Sequence, residues 1–208
     1  MKERQKDRLK IFNRVLSVIS GKPEALPAEL EDEQLEAHAS DPLDVRFVKR
    51  FTASGGKFIY CADQQEITEA LTHISEELEL QNIYAPSSQS RQLLDEMEHP
   101  FSLADLEDSA LFFSDCEALV AYNGGVMVTS VQKGNKSLEQ LPKEVIVMAF
   151  TDQLVDRLNE GLGLIREKYG KNIPTRIGTL HGPEQEIQTD PDSGRLRNLF
   201  LLLTERQA

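Results

Sequence analysis

The chain has no tryptophan, only two cysteines in 208 residues, and aromatic side chains at 6%. Cys61 and Cys116 lie far apart, form no CxxC and each sits in an apolar stretch. They read as small packed hydrophobes in preference to reactive or metal-bound thiols. An iron–sulfur cluster needs about four thiolates, so no such cofactor is expected in this chain. No apolar run approaches the ~20 residues that span a bilayer, and no apolar stretch follows the basic start as a signal peptide requires. A cytoplasmic protein without a membrane span is the expectation. GxGxxG and the Walker A pattern are absent, as are GxSxG and HExxH, so no motif supports nucleotide binding, a nucleophile elbow or a zinc protease.

What is present is strongly acidic. The formal net charge is −12, yet residues 1–22 carry seven basic and two acidic side chains, a net of +5, leaving −17 for the remainder. So acidic a body repels a phosphate backbone and argues against nucleic-acid binding. Leu9, Phe12, Val15, Leu16 and Ile19 recur at helical spacing, opposite Arg8, Lys10 and Arg14. This amphipathic helix suits docking on the domain, or on a second copy in a homodimer; attachment to a membrane surface is the sharper alternative. Residues 23–45 hold eight acids and no Lys or Arg, the composition of a solvated linker. Residues 1–45 are thus assigned to helix and linker, and 46–208 to one α/β domain, a length that buries roughly 70% of the unfolded surface.

Within the domain, short apolar strands alternate with helices. Strands are expected at Lys57–Cys61, Asn82–Ala85, Ala110–Phe113, Ala118–Tyr122, Gly125–Val131, Glu144–Phe150, Thr175–Leu180 and Asn198–Leu203. Asp63 precedes Glu66 by three residues, a capping-box spacing ahead of the stripe Ile67, Leu71, Ile74 and Leu78. Ser88 is placed as the cap of a short helix bearing Leu93, Leu94 and Met97. Glu144–Phe150 is continuously apolar after its first residue, as strands are when helices cover both faces of a parallel sheet. Thr151 is read as capping a helix over Asp152–Tyr169 with the stripe Leu154, Leu158, Leu162, Ile165 and Tyr169, stopped by Gly170. On that reading Leu158 is buried, and its replacement by alanine costs about 2–5 kcal/mol. The alternation predicts a three-layer α/β/α fold with a doubly wound, mostly parallel sheet of Rossmann-like type.

Two loops could carry chemistry. Ala121-Tyr122-Asn123-Gly124-Gly125 joins two apolar runs; Asn-Gly between strands signals a tight hairpin, while the second glycine would let a ligand approach backbone N–H groups. His181-Gly182-Pro183-Glu184 follows a strand. There Pro183 suits the start of a helical turn, and His181 is the alternative catalytic candidate, though nothing pairs it with a nucleophile. The run Asp190-Pro191-Asp192-Ser193-Gly194 fails as a calcium loop, since Arg195 and Leu201 occupy the positions that need glycine and a bidentate carboxylate. No metal site is expected.

Taken in order, the pieces from about residue 110 to 203 resemble the lactate-utilisation (LUD) family, in its lactate utilisation protein C branch. That family has an Ala-Glu-Thr-Gly-Thr loop between strands, a Ser-Leu-Leu-Pro stretch, an apolar strand, a long helix and an Ile-Ser-Gly-Pro-Ser loop. Here Ala121–Gly125, Ser137–Pro142, Val145–Phe150, Asp152–Tyr169 and Leu180–Glu184 correspond. Tyr122 stands where the family has glutamate, Asn123 and Gly125 where it has threonine, and His181 and Glu184 where it has serine. Gly124, Ser137, Pro142, Gly182 and Pro183 match. The resemblance implies a NagB/RpiA/CoA-transferase-like fold and a link to the oxidation of L-lactate to pyruvate, with iron–sulfur clusters on partner subunits. It also singles out Tyr122, Asn123, Gly124, Gly125, Ser137, His181, Gly182 and Pro183 as candidate ligand-binding residues, the two loops forming walls of one cleft. The altered polar positions leave two alternatives open. One is a non-catalytic module binding a small metabolite or a protein. The other is an enzyme for an anionic acyl, folate or sugar-phosphate substrate.

Overall fold

We describe residues 41–79, 82–103, 111–134, 136–184 and 198–206 of a computed structural model. The expected N-terminal helix, nearly all of the acidic linker, and the Asp190–Gly194 run lie outside these residues.

The continuous apolar runs make the centre of a five-stranded parallel sheet. Its strands are β1 (Lys57–Tyr60), β2 (Ile83–Tyr84), β3 (Leu111–Asp115), β6 (Glu144–Phe150) and β9 (Asn198–Thr204), in spatial order β1-β9-β6-β3-β2. β6 and β9 pair over their full lengths, from Glu144 beside Asn198 to Phe150 beside Thr204. The Asn198 side-chain amide donates to the Glu144 carboxylate at 2.7 Å and pins that register at its first rung. A slip of one residue would exchange the two buried faces, so the pairing is strongly specified.

One face is covered by α2 (Gln64–Glu77) and α3 (Ser88–Glu96). Ile67, Leu71, Ile74, Leu93 and Leu94 pack there on Phe113, Ile146, Met148 and Leu202. The caps sit close to where the sequence puts them. The Asp63 side chain accepts from Glu66 N, while the Glu66 carboxylate reaches back one residue further, to Ala62 N. The cap of α3 is Ser87, one residue before the expected Ser88.

The other face carries α1 (Leu43–Ala53), a helix the sequence reading did not place, and a second sheet. That sheet has four strands in the order β7-β4-β5-β8, built from β4 (Ala118–Val120), β5 (Gly125–Val128), β7 (Leu154–Val155) and β8 (Gly178–Leu180). Phe47 and Phe51 of α1 stack with centroids 5.6 Å apart. With Leu119, Val126 and Leu180 they bury against Phe112, Val145 and Leu201. Each such side chain contributes about 1.5–3 kcal/mol by leaving water. The three-layer, mostly parallel α/β/α arrangement holds, with this small sheet as part of the third layer.

Three strand bounds and one helix need correction: β4 ends at Val120, not Tyr122, and β8 begins at Gly178, not Thr175. β5 ends at Val128, not Val131, because Thr129 and Gln132 form a capping box that starts the one-turn helix α4 (Ser130–Lys133). The helix expected at Asp152–Tyr169 is α5, Leu158–Tyr169. Before it, Gln153 accepts from Phe150 N and donates to Cys116 O, which holds a 3-10 turn, and Leu154–Val155 then pair with β4. α5 therefore covers the outer face of the small sheet, packing through Gly161 and Ile165 on Ala118 and Met127. The shortened helix turns Leu158 outward, 46% exposed, while Ile165 is 1% exposed. Ile165→Ala should lower the unfolding free energy by about 2–5 kcal/mol in urea denaturation. Leu158→Ala should stay within about 0.5 kcal/mol of the parent.

Candidate functional site

The two loops singled out from sequence lie side by side. β5 and β8 are antiparallel with Val126 opposite Leu180, so Gly125 falls next to His181. A Cβ on Gly125 would stand 2.9 Å from His181 Cε1. The β4–β5 connection has four residues, 121–124, with φ positive only at Gly124 (66°), rather than the two-residue turn Asn-Gly suggests. Asn123 Oδ1 accepts from Gly125 N at 3.1 Å, and this side-chain turn replaces the tight hairpin. Tyr122 is 42% exposed, with Arg157 lying 5.4 Å over its ring.

Both loops press on the end of α1. A Cβ at Gly124 would meet Phe51 N at 2.5 Å, and one at Gly182 would overlap Ser54 O. Gly182 N donates to Ser54 Oγ, and Glu184 N to Ser54 O. Pro183 lies against Gly55. Since Ser54–Gly56 lead into β1, this cluster stands at the amino edge of the large sheet. Ser137 does not join it. Its hydroxyl and N–H both bond Gln140 Oε1 in a 3-10 turn, and the following Leu138 covers Gly178, at the far end of β8 from His181.

The carboxyl edge holds a polar cluster that the sequence reading passed over. Asp115, the last residue of β3, and Glu117, two residues on, are 8% and 5% exposed. Gln132 Nε2 donates to both, at 3.3 Å and 2.8 Å. Glu117 also accepts from Lys168 Nζ at 2.8 Å and Tyr169 Oη at 2.6 Å. Burial alone would raise the Glu117 pKa; the hydrogen bonds from Lys168, Tyr169 and Gln132, with the Lys168 charge, outweigh it and hold the carboxyl below its ordinary value. Tyr169 is pushed up by burial and then by Glu117. The signal was there to read: two acids interrupt a mostly apolar run, Leu111 to Ala121.

Both thiols are free and buried. Burial, then Glu66 and Asp63, push Cys61 up to about 12. Burial, then Asp115 and Glu117, raise Cys116 well above the usual thiol range. Cys61 follows β1 and Cys116 follows β3, three strand spacings apart, or about 14 Å. Neither a disulfide nor a shared cluster can bridge that distance.

A cleft of about 240 Å³ also opens at the carboxyl edge, between the start of α2, the length of α3 and the exits of β6 and β9. Ile67, Leu93, Met148 and Phe150 give it an apolar floor. Gln64, Gln92, Glu96, Glu205 and Arg206 supply polar lining. Its residues come from four separate elements, so no local motif could have announced it. Among the described residues, no group of three or more His, Cys, Asp or Glu is placed to hold a metal ion.

An open parallel α/β sheet with a cleft outside the carboxyl ends of its strands is the architecture of a ligand-binding α/β domain. The LUD domain family model matches residues 45–193, and the chain belongs to that family. A solved structure of a DUF162 family protein from Deinococcus radiodurans is similar in fold, with a TM-score of 0.59 and 16% identity over 78% of this chain and 96% of the other. None of the curated proteins matches the chain. Among the described residues, no helix is long and apolar enough to cross a membrane.

Two outcomes follow from the buried groups. Because the folded Glu117 carboxyl sits below its unfolded value, its stabilisation is complete at neutral pH and is lost as pH falls through the folded value. Glu117→Gln should cost about 1–3 kcal/mol at pH 7. In denaturation series, that difference should close as the pH drops below about 4, the ordinary glutamate range. Iodoacetamide at pH 8 should leave the native thiols unmodified and label both cysteines once the chain is unfolded, as counted by intact mass.

Proposed function

We propose that this LUD-domain chain is a non-redox accessory subunit in the oxidation of L-lactate to pyruvate, acting beside iron–sulfur partner proteins in the cytoplasm. The family match over residues 45–193 carries the reading. The thiols support it from another side. The oxidation releases two electrons, and a chain whose two cysteines are both buried and far apart has no set of thiolates to receive them. The clusters then belong to the partners. Free, unoxidised thiols also suit a reducing compartment.

Reconstitution tests this. The chain, combined with its two cysteine-rich candidate partners, should form a complex in native mass spectrometry and reduce a dye in an L-lactate-dependent way. The chain alone should show no such reduction, and leaving it out should drop the rate to background. Partners that oxidise L-lactate at an unchanged rate without it, and form no complex with it, would overturn the assignment.

A second reading, a module that binds a small metabolite, is favoured by the cleft at the carboxyl edge. An enzyme for anionic acyl, folate or sugar-phosphate substrates finds less support there, because Glu96 lines the cleft and the lining cation Arg206 is paired with Asp152.

A further inference from the structure

We propose that the carboxyl-edge cleft binds an uncharged ring carrying an amide, its N–H and C=O side by side. The inference rests on the second reading above, that the cleft takes a small molecule, and adds the chemical class of that molecule.

Position comes first. The chain leaving β1 turns to α2 on one face of the large sheet, whereas the chain leaving β6 turns to β7 and α5 on the other. The cleft lies where those directions diverge, a topological switch point, which is where open α/β sheets take their ligands. Its volume of about 240 Å³ lies just under the range of roughly 300–1,000 Å³ common for drug-sized ligands, so the occupant is near a single substituted ring. Ile67, Leu93 and Met148, each 5% exposed or less, offer that ring a hydrocarbon floor.

The polar lining divides into groups that are engaged and groups that are open. The three charged side chains are all engaged. Glu96 accepts from Gln64 Nε2 on one carboxylate oxygen and from Gln92 Nε2 on the other. Glu205 turns its carboxylate to Tyr60 Oη, on the opposite face of the sheet. Arg206 Nε donates to Asp152 at 2.9 Å, and the guanidinium lies 4.1 Å over the Phe150 ring.

Two neutral groups are open. Thr204, the last residue of β9, lines the cleft and is 3% exposed, and its hydroxyl bonds to none of the described residues. A buried hydroxyl without a partner carries a desolvation cost that a ligand bond recovers. Gln89, in the first turn of α3, lines the cleft too, and its side-chain amide is likewise unbonded among the described residues. An amide presents N–H and C=O in one plane and is complemented by a second amide, while a hydroxyl both donates and accepts. A charged ligand would give up its hydration here and meet no free counter-charge. The lining therefore discriminates against carboxylates, phosphate esters and ammonium groups alike.

Three ring probes of one shape and different charge test it: benzamide, benzoate and benzamidine, titrated into the full chain labelled at Ile, Leu and Met methyls. Benzamide should bind saturably and shift the Ile67, Leu93 and Met148 signals. Benzoate and benzamidine should each bind roughly tenfold more weakly, or not saturate at all. Thr204→Val keeps the shape and removes the hydroxyl. It should weaken benzamide roughly three- to tenfold, the worth of one hydrogen bond, and leave the thermal midpoint unlowered, whereas a hydroxyl that serves only the fold would lower the midpoint and spare the affinity. Gln89→Met should weaken benzamide by a similar factor. Benzoate or benzamidine binding as tightly as benzamide, or either variant binding benzamide as the parent does, would overturn the neutral amide while keeping the cleft as a ligand site. Methyl signals unmoved by all three probes would overturn the cleft reading itself.

Discussion

The double burial of β6 and β9 is the constraint on which the rest of the molecule depends. Between Val145 and Ala149, and again between Leu199 and Leu203, every side chain is buried, on both faces of the sheet. A strand of this kind is stable only when something apolar lies on each side. On one side α2 and α3 supply it. On the other, the chain covers most of the surface with a second sheet, laid down in two passes: β4 and β5 after β3, then β7 and β8 after β6. That choice of cover sets where the loops fall. The β4–β5 turn and the β8 exit come down to the amino edge, where α1 seals them. The Glu117 cluster and the cleft are left at the carboxyl edge.

How far this was legible follows from which signals are local. Glu144–Phe150 announces itself, since a continuous apolar run bounded by polar residues can only be a buried strand or a short buried helix, and β-branched content decides. The Ile67–Ile74 stripe and the Asp63–Glu66 cap are equally local. The small sheet was half visible: β4, β5 and β8 each appeared as strand candidates, but nothing in a sequence states that three short runs leave the main sheet to form another. The two residues of β7 were absorbed into a helix, because Leu154 and Leu158 happen to keep a helical spacing that Gln153 overrides by capping the chain to Cys116. Leu158 paid the error, turning out to solvent.

The functional residues divide the same way. Gly124 and Gly182 stand out in sequence because small residues in loops suggest close approach, and close approach is what the structure uses: the neighbour of each is the backbone near the end of α1. The cluster around Glu117 draws on α4, α5 and the end of β3. Its cohesion is invisible until those elements meet. It ties the outer helix to the carboxyl edge through a buried carboxylate, so the position of α5 over the small sheet is set by hydrogen-bond geometry as well as by the apolar contacts of Ile165.

The place of β9 in the sheet has a consequence for how the molecule is made. Lys57 of β1 pairs with Phe200, and β1 has β9 as its one ladder neighbour among the described strands. Every other described strand leaves the ribosome before β9 does. Until it emerges, β1 stands apart from β6, and the apolar faces of Ile146 and Val147 flank an open slot where a strand is missing. A nascent chain in that state exposes paired-strand edges and core surface together, the condition that recruits chaperones and permits a strand from another copy to fill the gap. Insertion of β9 is therefore the step that joins β1 to the β6-β3-β2 sheet, and the chain stays open to misassociation until it occurs.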